Sequence, residues 1–194
     1  MRAILIPFLL TLITACVSVS TTRTHFYSLA GTDAAPARPM QSSLSVGLGP
    51  LDFPAMLDRP QIVTRTRDHR VSRAEYHQWA GSLKREFMRT LADRLEAELG
   101  SSRIQIYPWT SRQRPEYQIR LDVSRFDGAL NGKVILNVRW QLLSAHGKKE
   151  ARVGRSHIEM EVDGDSYEAY VEALSQAVAA FAKELAQILT HRRQ

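Results

Sequence analysis

Cysteine is almost absent from the chain, because Cys16 is the only one in 194 residues. A single thiol cannot form an intrachain disulfide, so a small disulfide-stabilised scaffold is excluded. The fold must be stabilised by its core, and a chain of this length can bury one unaided. With 44% hydrophobic and 24% charged residues, the composition is that of an ordinary globular domain.

Long apolar runs are also missing. The longest begins at Ala3, after the positive charge of Arg2, and ends in the small residues Thr14 and Ala15 just before Cys16. A membrane-spanning helix needs about 20 apolar residues, so this run is too short for one. The pattern is typical of a secretory signal peptide, here residues 1–15, and an uncleaved membrane anchor is the less favoured alternative.

The position of the cysteine directly after this peptide indicates lipidation. Residues Ile13, Thr14, Ala15 and Cys16 resemble the bacterial lipobox, in which the cysteine becomes the first mature residue. The resemblance implies diacylglycerol on the Cys16 sulfur and an acyl chain on its amino group, and two or three such chains anchor a protein stably. The alternative is a cysteine that merely ends an apolar segment. We expect no cofactor besides this covalent lipid.

A lipidated tether is predicted over residues 16–24. The about eight residues after Cys16 are small, polar or β-branched, and they could span roughly 26 Å when fully extended. The residue after the cysteine is Val17, whereas an acidic residue at this position favours retention at the inner membrane. The absence of an acidic residue resembles the pattern of lipoproteins sent to the periplasmic face of the outer membrane, with the inner membrane as the alternative.

Acidic residues are outnumbered, 20 against 26 Lys and Arg, which gives a net charge of +6. In a cytosolic protein, such an excess of positive charge suggests that the protein binds nucleic acid, but an exported lipoprotein does not meet nucleic acid. Anionic lipid headgroups, an acidic partner surface and a merely solvated basic surface remain as alternatives.

Catalytic and metal-binding motifs are lacking as well. The chain has no G-x-S-x-G elbow, P-loop or H-E-x-x-H motif. Its six histidines are scattered, without the spacing that a metal site needs. The sequence Gly164-Asp165-Ser166 resembles a lipase block, but a turn and helix cap explain it better. We therefore expect neither an enzyme nor a metal site.

Short alternating segments predict strands. Two of them, from Tyr117 and from Val134, flank the turn sequence DGALNG and predict a hairpin, which a third strand near Arg152 extends into a meander with a bulge. The remaining predicted strands begin near His25, Leu44, Gln61 and Arg103.

Two amphipathic helices complete the pattern. Ser72 and Glu75 form a capping box that predicts a first helix from Arg73 to Gly100. Gly164 and Asp165 are predicted to cap the second. The apolar stripes recur at helical spacing: Trp79, Leu83, Phe87, Leu91 and Leu95 in the first helix, and Tyr170, Val171, Leu174, Val178, Phe181, Leu185 and Leu189 in the second. Residues 25–194 are thus predicted to form a single α+β domain, a mostly antiparallel sheet with two long helices on one face.

A family resemblance enters with LDRPQIVTR, from Leu57 to Arg65. Together with the lipobox, the sequence FYSL from Phe26 and the segment from Tyr76 to Trp79, it resembles the ABC-type transport auxiliary lipoprotein family. The resemblance implies a non-catalytic periplasmic lipoprotein that serves an MCE-type lipid transport system, holding one end of its tunnel at a membrane. The implied partner is an MCE-domain protein, and a ring-like homo-oligomer is worth testing.

Candidate partner-binding residues lie in the same stretch. Arg59, Gln61 and Arg65 are predicted to contact the partner, because Pro60 lacks a backbone donor and should leave this strand at a sheet edge. The alternative for this arginine-rich region is a solvated edge whose charges prevent aggregation. At the level of function, the alternatives are a structural or peptidoglycan-binding envelope lipoprotein and a lipoprotein enzyme.

Overall fold

The computed structural model describes residues 23–29, 44–66, 70–100, 103–110, 114–144 and 149–191. The predicted signal peptide, Cys16, the loop from Gly31 and the turn at His146 lie outside these residues. The described elements are, in chain order, β1 His25–Tyr27, β2 Val46–Asp52, β3 Gln61–Arg65, β4 Val71–Trp79, α1 Leu83–Leu99, β5 Ile104–Ile106, β6 Tyr117–Gly128, β7 Lys133–Ser144, β8 Lys149–Glu161 and α2 Tyr167–Thr190.

The larger sheet has five strands in the order β5-β2-β6-β7-β8. Its β6, β7 and β8 form the predicted antiparallel meander, and the predicted bulge lies where Leu142 and Leu143 pair with Arg152 and Glu150. Strand β2 runs parallel to both β5 and β6. Parallel neighbours need a long connection, and the segment between β2 and β5, which contains α1, provides one. The α+β class is confirmed, and the sheet is mixed rather than mostly antiparallel.

A second sheet has three strands in the order β1-β4-β3. Strand β1 lies parallel to β4, and β3 lies antiparallel to it. Strand β3 is an edge strand, as Pro60 predicted. The Pro60 carbonyl accepts a hydrogen bond from the Trp79 N–H at 2.7 Å, so the residue without a donor still joins the sheet as an acceptor.

The predicted start of the first helix is wrong. Ser72 and Glu75 lie in β4, and α1 begins ten residues later than Arg73, at Leu83 with Ser82 as its N-cap. The predicted end at Gly100 is confirmed, since Gly100 adopts φ 59°, a left-handed conformation that glycine favours at helix ends. Of the predicted stripe, Trp79 is buried at the end of a strand and the other four residues are buried on α1.

Helix α2 carries the second predicted stripe, and all of its seven residues are buried. Its N-cap is Ser166, whose hydroxyl accepts from the Ala169 N–H at 3.1 Å, so the cap lies one residue beyond the predicted Gly164 and Asp165. The helix contacts α1, β7 and β8, while α1 also contacts β5. The helices therefore pack side by side against the five-stranded sheet.

Three phenylalanines mark the centre of the core. Phe87 on α1 packs edge-on against Phe126 on β6, with ring centroids 5.2 Å apart, and Phe53 after β2 packs against both rings. Both Phe87 and Phe126 are fully buried. Edge-to-face packing of this kind adds about 1 kcal/mol to the gain from burial alone.

Candidate functional site

The predicted partner-binding residues lie along the edge formed by β3. Arg59 and Gln61 are close in the chain at its start, and both are half-buried. Arg65 lies at the opposite end, about 13 Å further along the strand. The structure therefore brings Arg59 and Gln61 together and separates Arg65 from them.

Arg65 is engaged inside the protein. Its Nε and Nη2 atoms donate to both oxygens of Asp127, with the shortest distance 2.8 Å from Nη2 to Oδ2. Arg125 donates to the same carboxylate from its Nε at 2.9 Å. The Asp127 side chain is only 2% exposed, whereas those of Arg65 and Arg125 are 29% and 33% exposed. The hydrogen bond to Asp127 raises the pKa of Arg65 above its ordinary value.

Asp127 was not identified from the sequence, where it belongs to the turn sequence DGALNG. Its partner Arg65 lies 62 residues away in the chain. The only local signal was Arg125, which is two residues earlier and therefore points to the same face of β6. A lone acidic residue between a basic strand residue and a turn is too common a pattern to predict a buried ion pair.

Tyr170 connects the same edge to the larger sheet. Its hydroxyl donates to the Val63 carbonyl of β3 at 2.9 Å and accepts from the Gly128 N–H of β6 at 3.0 Å. The side chain is fully buried, and burial raises the pKa of its phenol. One residue of α2 thus satisfies a backbone group of each sheet and holds β3 beside β6.

The stretch from Leu57 to Arg65 has a structural role at the start of α1. Leu57 is buried, and Asp58 accepts from the hydroxyl of the N-cap Ser82 at 2.8 Å. Arg59 follows with its Nε shielded from solvent, and that atom has no hydrogen-bond partner within the described part of the chain. Arg59 is therefore a half-buried cation of this edge, and only the part of its side chain that stays exposed can approach an external acceptor.

An aromatic clasp, formed by His25, Tyr27, His77 and Tyr167, lies where the chain enters the domain. The His77 ring stacks on Tyr167 with centroids 4.0 Å apart and on His25 with centroids 5.3 Å apart. The Tyr27 hydroxyl donates to Glu168 at 2.9 Å, so it accepts from His77 Nδ1 at 2.8 Å. Sequence reasoning missed this cluster, because its members come from β1, β4 and α2.

The protonation states of the clasp follow from these contacts. Burial, followed by the hydrogen bond to Glu168, raises the pKa of Tyr27 to about 12. The pKa of Glu168 is lowered by its own backbone N–H and by the Tyr27 hydroxyl, which both donate to the carboxylate. The pair is therefore held as a neutral phenol donating to a carboxylate, and it ties β1 to the start of α2.

The histidine and carboxylate side chains of the described ranges do not gather into a metal-binding cluster. Within them, no group of three or more His, Cys, Asp or Glu side chains converges as a metal site would require. Ser166 of the lipase-like sequence caps α2. Among the described helices, none combines the length and apolar character needed to cross a membrane.

Comparisons with known proteins identify a family and two proteins of similar fold. A sequence model described as the ABC-type transport auxiliary lipoprotein component matches residues 27–186. No curated protein matches the chain. A crystal structure of an uncharacterised protein is 20% identical with a TM-score of 0.69, and the alignment covers 87% of this chain and 99% of that one. The Xanthomonas campestris protein XCC0632 is 14% identical with a TM-score of 0.64, over 88% and 95% of the two chains.

Proposed function

Because the chain belongs to the ABC-type transport auxiliary lipoprotein components, we propose that it is a non-catalytic accessory subunit of an MCE-type, ABC-linked lipid transport system. In this role it docks the end of the transport tunnel at the membrane that holds it, and we place it on the periplasmic face of the outer membrane. The observation that carries the proposal is the family match over residues 27–186.

Anchoring is proposed to occur through lipid on Cys16, after removal of residues 1–15 as the signal peptide. The first strand begins at His25, nine residues after the cysteine. The tether therefore keeps the domain within roughly 30 Å of the bilayer surface. A tunnel protein that meets the domain there experiences a high effective concentration near the membrane, which is the physical benefit of such a subunit.

The proposed partner surface is the β3 edge around Arg59 and Gln61. Arg59 supports it because it is a half-buried cation at this edge, and the part of its side chain that stays exposed can meet an acidic group on the partner. Arg65 remains in the proposed surface through its exposed fraction, although its Nε and Nη2 atoms donate to Asp127. A ring of several copies would multiply these contacts and is part of the proposal.

The test is affinity isolation of the tagged, lipidated protein from detergent-solubilised envelopes, followed by mass spectrometry. We expect an MCE-domain protein to co-purify, and Arg59→Glu to reduce its recovery. Arg139→Glu is the matched control, because Arg139 is an exposed arginine on β7, in the other sheet. Recovery of cell-wall fragments instead of an MCE-domain protein would contradict the proposal and favour the structural, peptidoglycan-binding alternative.

A further inference from the structure

A groove lies between the first half of α1 and the edge strand β5. Its volume is about 450 Å³. Two of the large apolar side chains in it are unusually exposed, Ile106 at 38% and Tyr107 at 51%. Tyr107 is held edge-on by Trp109, with ring centroids 5.2 Å apart. The apolar part of the lining consists of Pro50, Leu51, Met88, Ile106 and Tyr107.

The rest of the lining is basic. Lys84, Arg85 and Arg89 border the groove, and no acidic residue lines it. Among the described residues, none of these three side chains has a hydrogen-bond or ion-pair partner. Other surface cations of the chain are paired, for example Lys133 with Glu159 and Arg139 with Asp122. The groove therefore combines an apolar floor with unneutralised positive charge.

We propose that this groove docks onto the anionic leaflet of the membrane in which Cys16 is inserted, an inference that rests on the proposed lipid anchor. The three cations bind phosphate groups of anionic phospholipids, and Ile106 and Tyr107 enter the interfacial region. Tyrosine and tryptophan favour the membrane–water interface, and each nearby cation contributes about 1 kcal/mol at an anionic surface. The tether is long enough for the domain to turn this face to the bilayer.

A peptide segment of a protein partner fits the groove less well. Strand β5 has only three residues, so it offers little edge for a further strand. The Ile104 N–H already donates to the Glu96 carboxylate, and Pro50 has no N–H to give. A peptide backbone would thus leave polar groups unpaired, whereas an acyl chain has none to satisfy.

The test uses the mature lipidated protein in vesicles with a fluorophore attached at Tyr107→Cys, because the mature chain holds no thiol besides the lipidated Cys16. Nitroxide-labelled lipid serves as quencher. We expect quenching in vesicles of phosphatidylglycerol and phosphatidylcholine, and much weaker quenching in phosphatidylcholine alone. The matched control is Val153→Cys, which is 55% exposed on β8 at the opposite edge of the sheet and should stay unquenched.

The charge dependence is measured by adding Arg85→Gln and Arg89→Gln to the labelled protein. Both side chains are exposed, so the fold should be unaffected. Each substitution is expected to lower the ratio of docked to undocked protein about fivefold, and the two together about 25-fold.

Three results would overturn the inference. Equal quenching at positions 107 and 153, or quenching at 107 that ignores lipid charge, would show that this face does not dock electrostatically. If the co-purified MCE-domain protein shields the label from solvent and lipid does not, the groove binds a protein partner instead of the membrane. Loss of the lipid-modified protein from all vesicles would contradict the anchor itself and the inference with it.

Discussion

At the scale of single residues, Asp127 determines how the β3 edge is built. A buried carboxylate is tolerated only when cations and donors compensate its lost hydration, and here Arg65 and Arg125 do so. Arg65 contributes a two-point contact, from Nε to Oδ1 and from Nη2 to Oδ2, which is the strongest arginine–carboxylate geometry. This arginine therefore has a structural function, and a role of Arg59 in partner recognition stays a proposal.

Asp127→Asn should destabilise the protein by about 2 kcal/mol, because it removes the charge from hydrogen bonds that two arginines make to a buried group. The change is measured as the free energy of unfolding in urea. Asp122→Asn is the control, since the exposed pair of Asp122 with Arg139 is expected to contribute about 0.5 kcal/mol. Equal effects of the two substitutions would contradict the structural role given to Asp127.

The raised pKa of Tyr27 makes the stability of the folded protein depend on pH in a definite direction. Its pKa is raised to about 12 in the folded state, above the ordinary value near 10, so the folded chain favours the neutral phenol. The stabilisation is fully present below pH ~10 and is lost as the pH rises towards ~12. Urea unfolding from pH 9 to pH ~12 should show a steeper loss for the native chain than for Tyr27→Phe. Parallel curves would contradict this assignment.

Only part of the site could be predicted at this scale. The edge position of Arg59, Gln61 and Arg65 could be predicted because proline marks an edge strand locally, whereas their contact with a partner stays a prediction. Asp127 and the aromatic clasp could not be found, since their partners lie far apart in the chain: 62 residues separate Arg65 from Asp127, and 141 separate Tyr27 from Glu168.

At the scale of elements, the segment from Val71 to Trp79 shows how tertiary pairing overrides a local signal. Ser72 and Glu75 fit a capping box, but the segment pairs with β3 on one side and β1 on the other. Those ladders pair residues 71–73 and 78 with β3 and residues 77–79 with β1, which holds both ends of the segment as a strand. Trp79 fits the helical stripe by spacing only, because the strand ends there and its side chain enters the same core.

Two serine substitutions test where α1 begins. Ser82→Ala should destabilise the protein by about 1 kcal/mol, because the hydroxyl accepts from the Arg85 N–H and donates to Asp58. Ser72→Ala, on the exposed face of β4, should stay within about 0.5 kcal/mol of the native chain. Urea unfolding measures both, and the reverse ranking would place the helix start at the capping box.

The strong periodic patterns predicted most elements. The β6–β7 hairpin, β8 and both helix stripes follow from alternation and four-residue spacing, which depend only on neighbouring residues. The division into two sheets and the parallel course of β2 could not be predicted, because they depend on which distant strands pair. The same limit explains why β4 was missed.

At the scale of the whole molecule, the two proposed contact surfaces lie at different edges of the fold. The proposed partner surface lies on the edge of the three-stranded sheet, and the basic groove lies at the edge of the five-stranded sheet. Tyr170 links the two sheets through one hydroxyl, so they are held in a fixed relation. An accessory subunit with this arrangement can contact a membrane and a tunnel protein at once.

Cys16→Ser should release the protein from the membrane, because the proposed thioether and the proposed acylated amino group both depend on this residue. Fractionation of cells, followed by immunoblotting of the membrane and soluble fractions, measures the change. Tyr27→Phe, which leaves the lipobox intact, should stay with the membrane. Unchanged membrane retention of Cys16→Ser would mean that another feature anchors the chain.

Mass spectrometry of the amino-terminal peptide from envelope-purified protein tests the lipid anchor most directly. The account predicts a mature chain that begins at Cys16 and carries diacylglycerol on the sulfur and a fatty acyl group on the nitrogen. A peptide that begins at Met1, or a Cys16 with a free thiol in protein recovered from the soluble fraction, would contradict it.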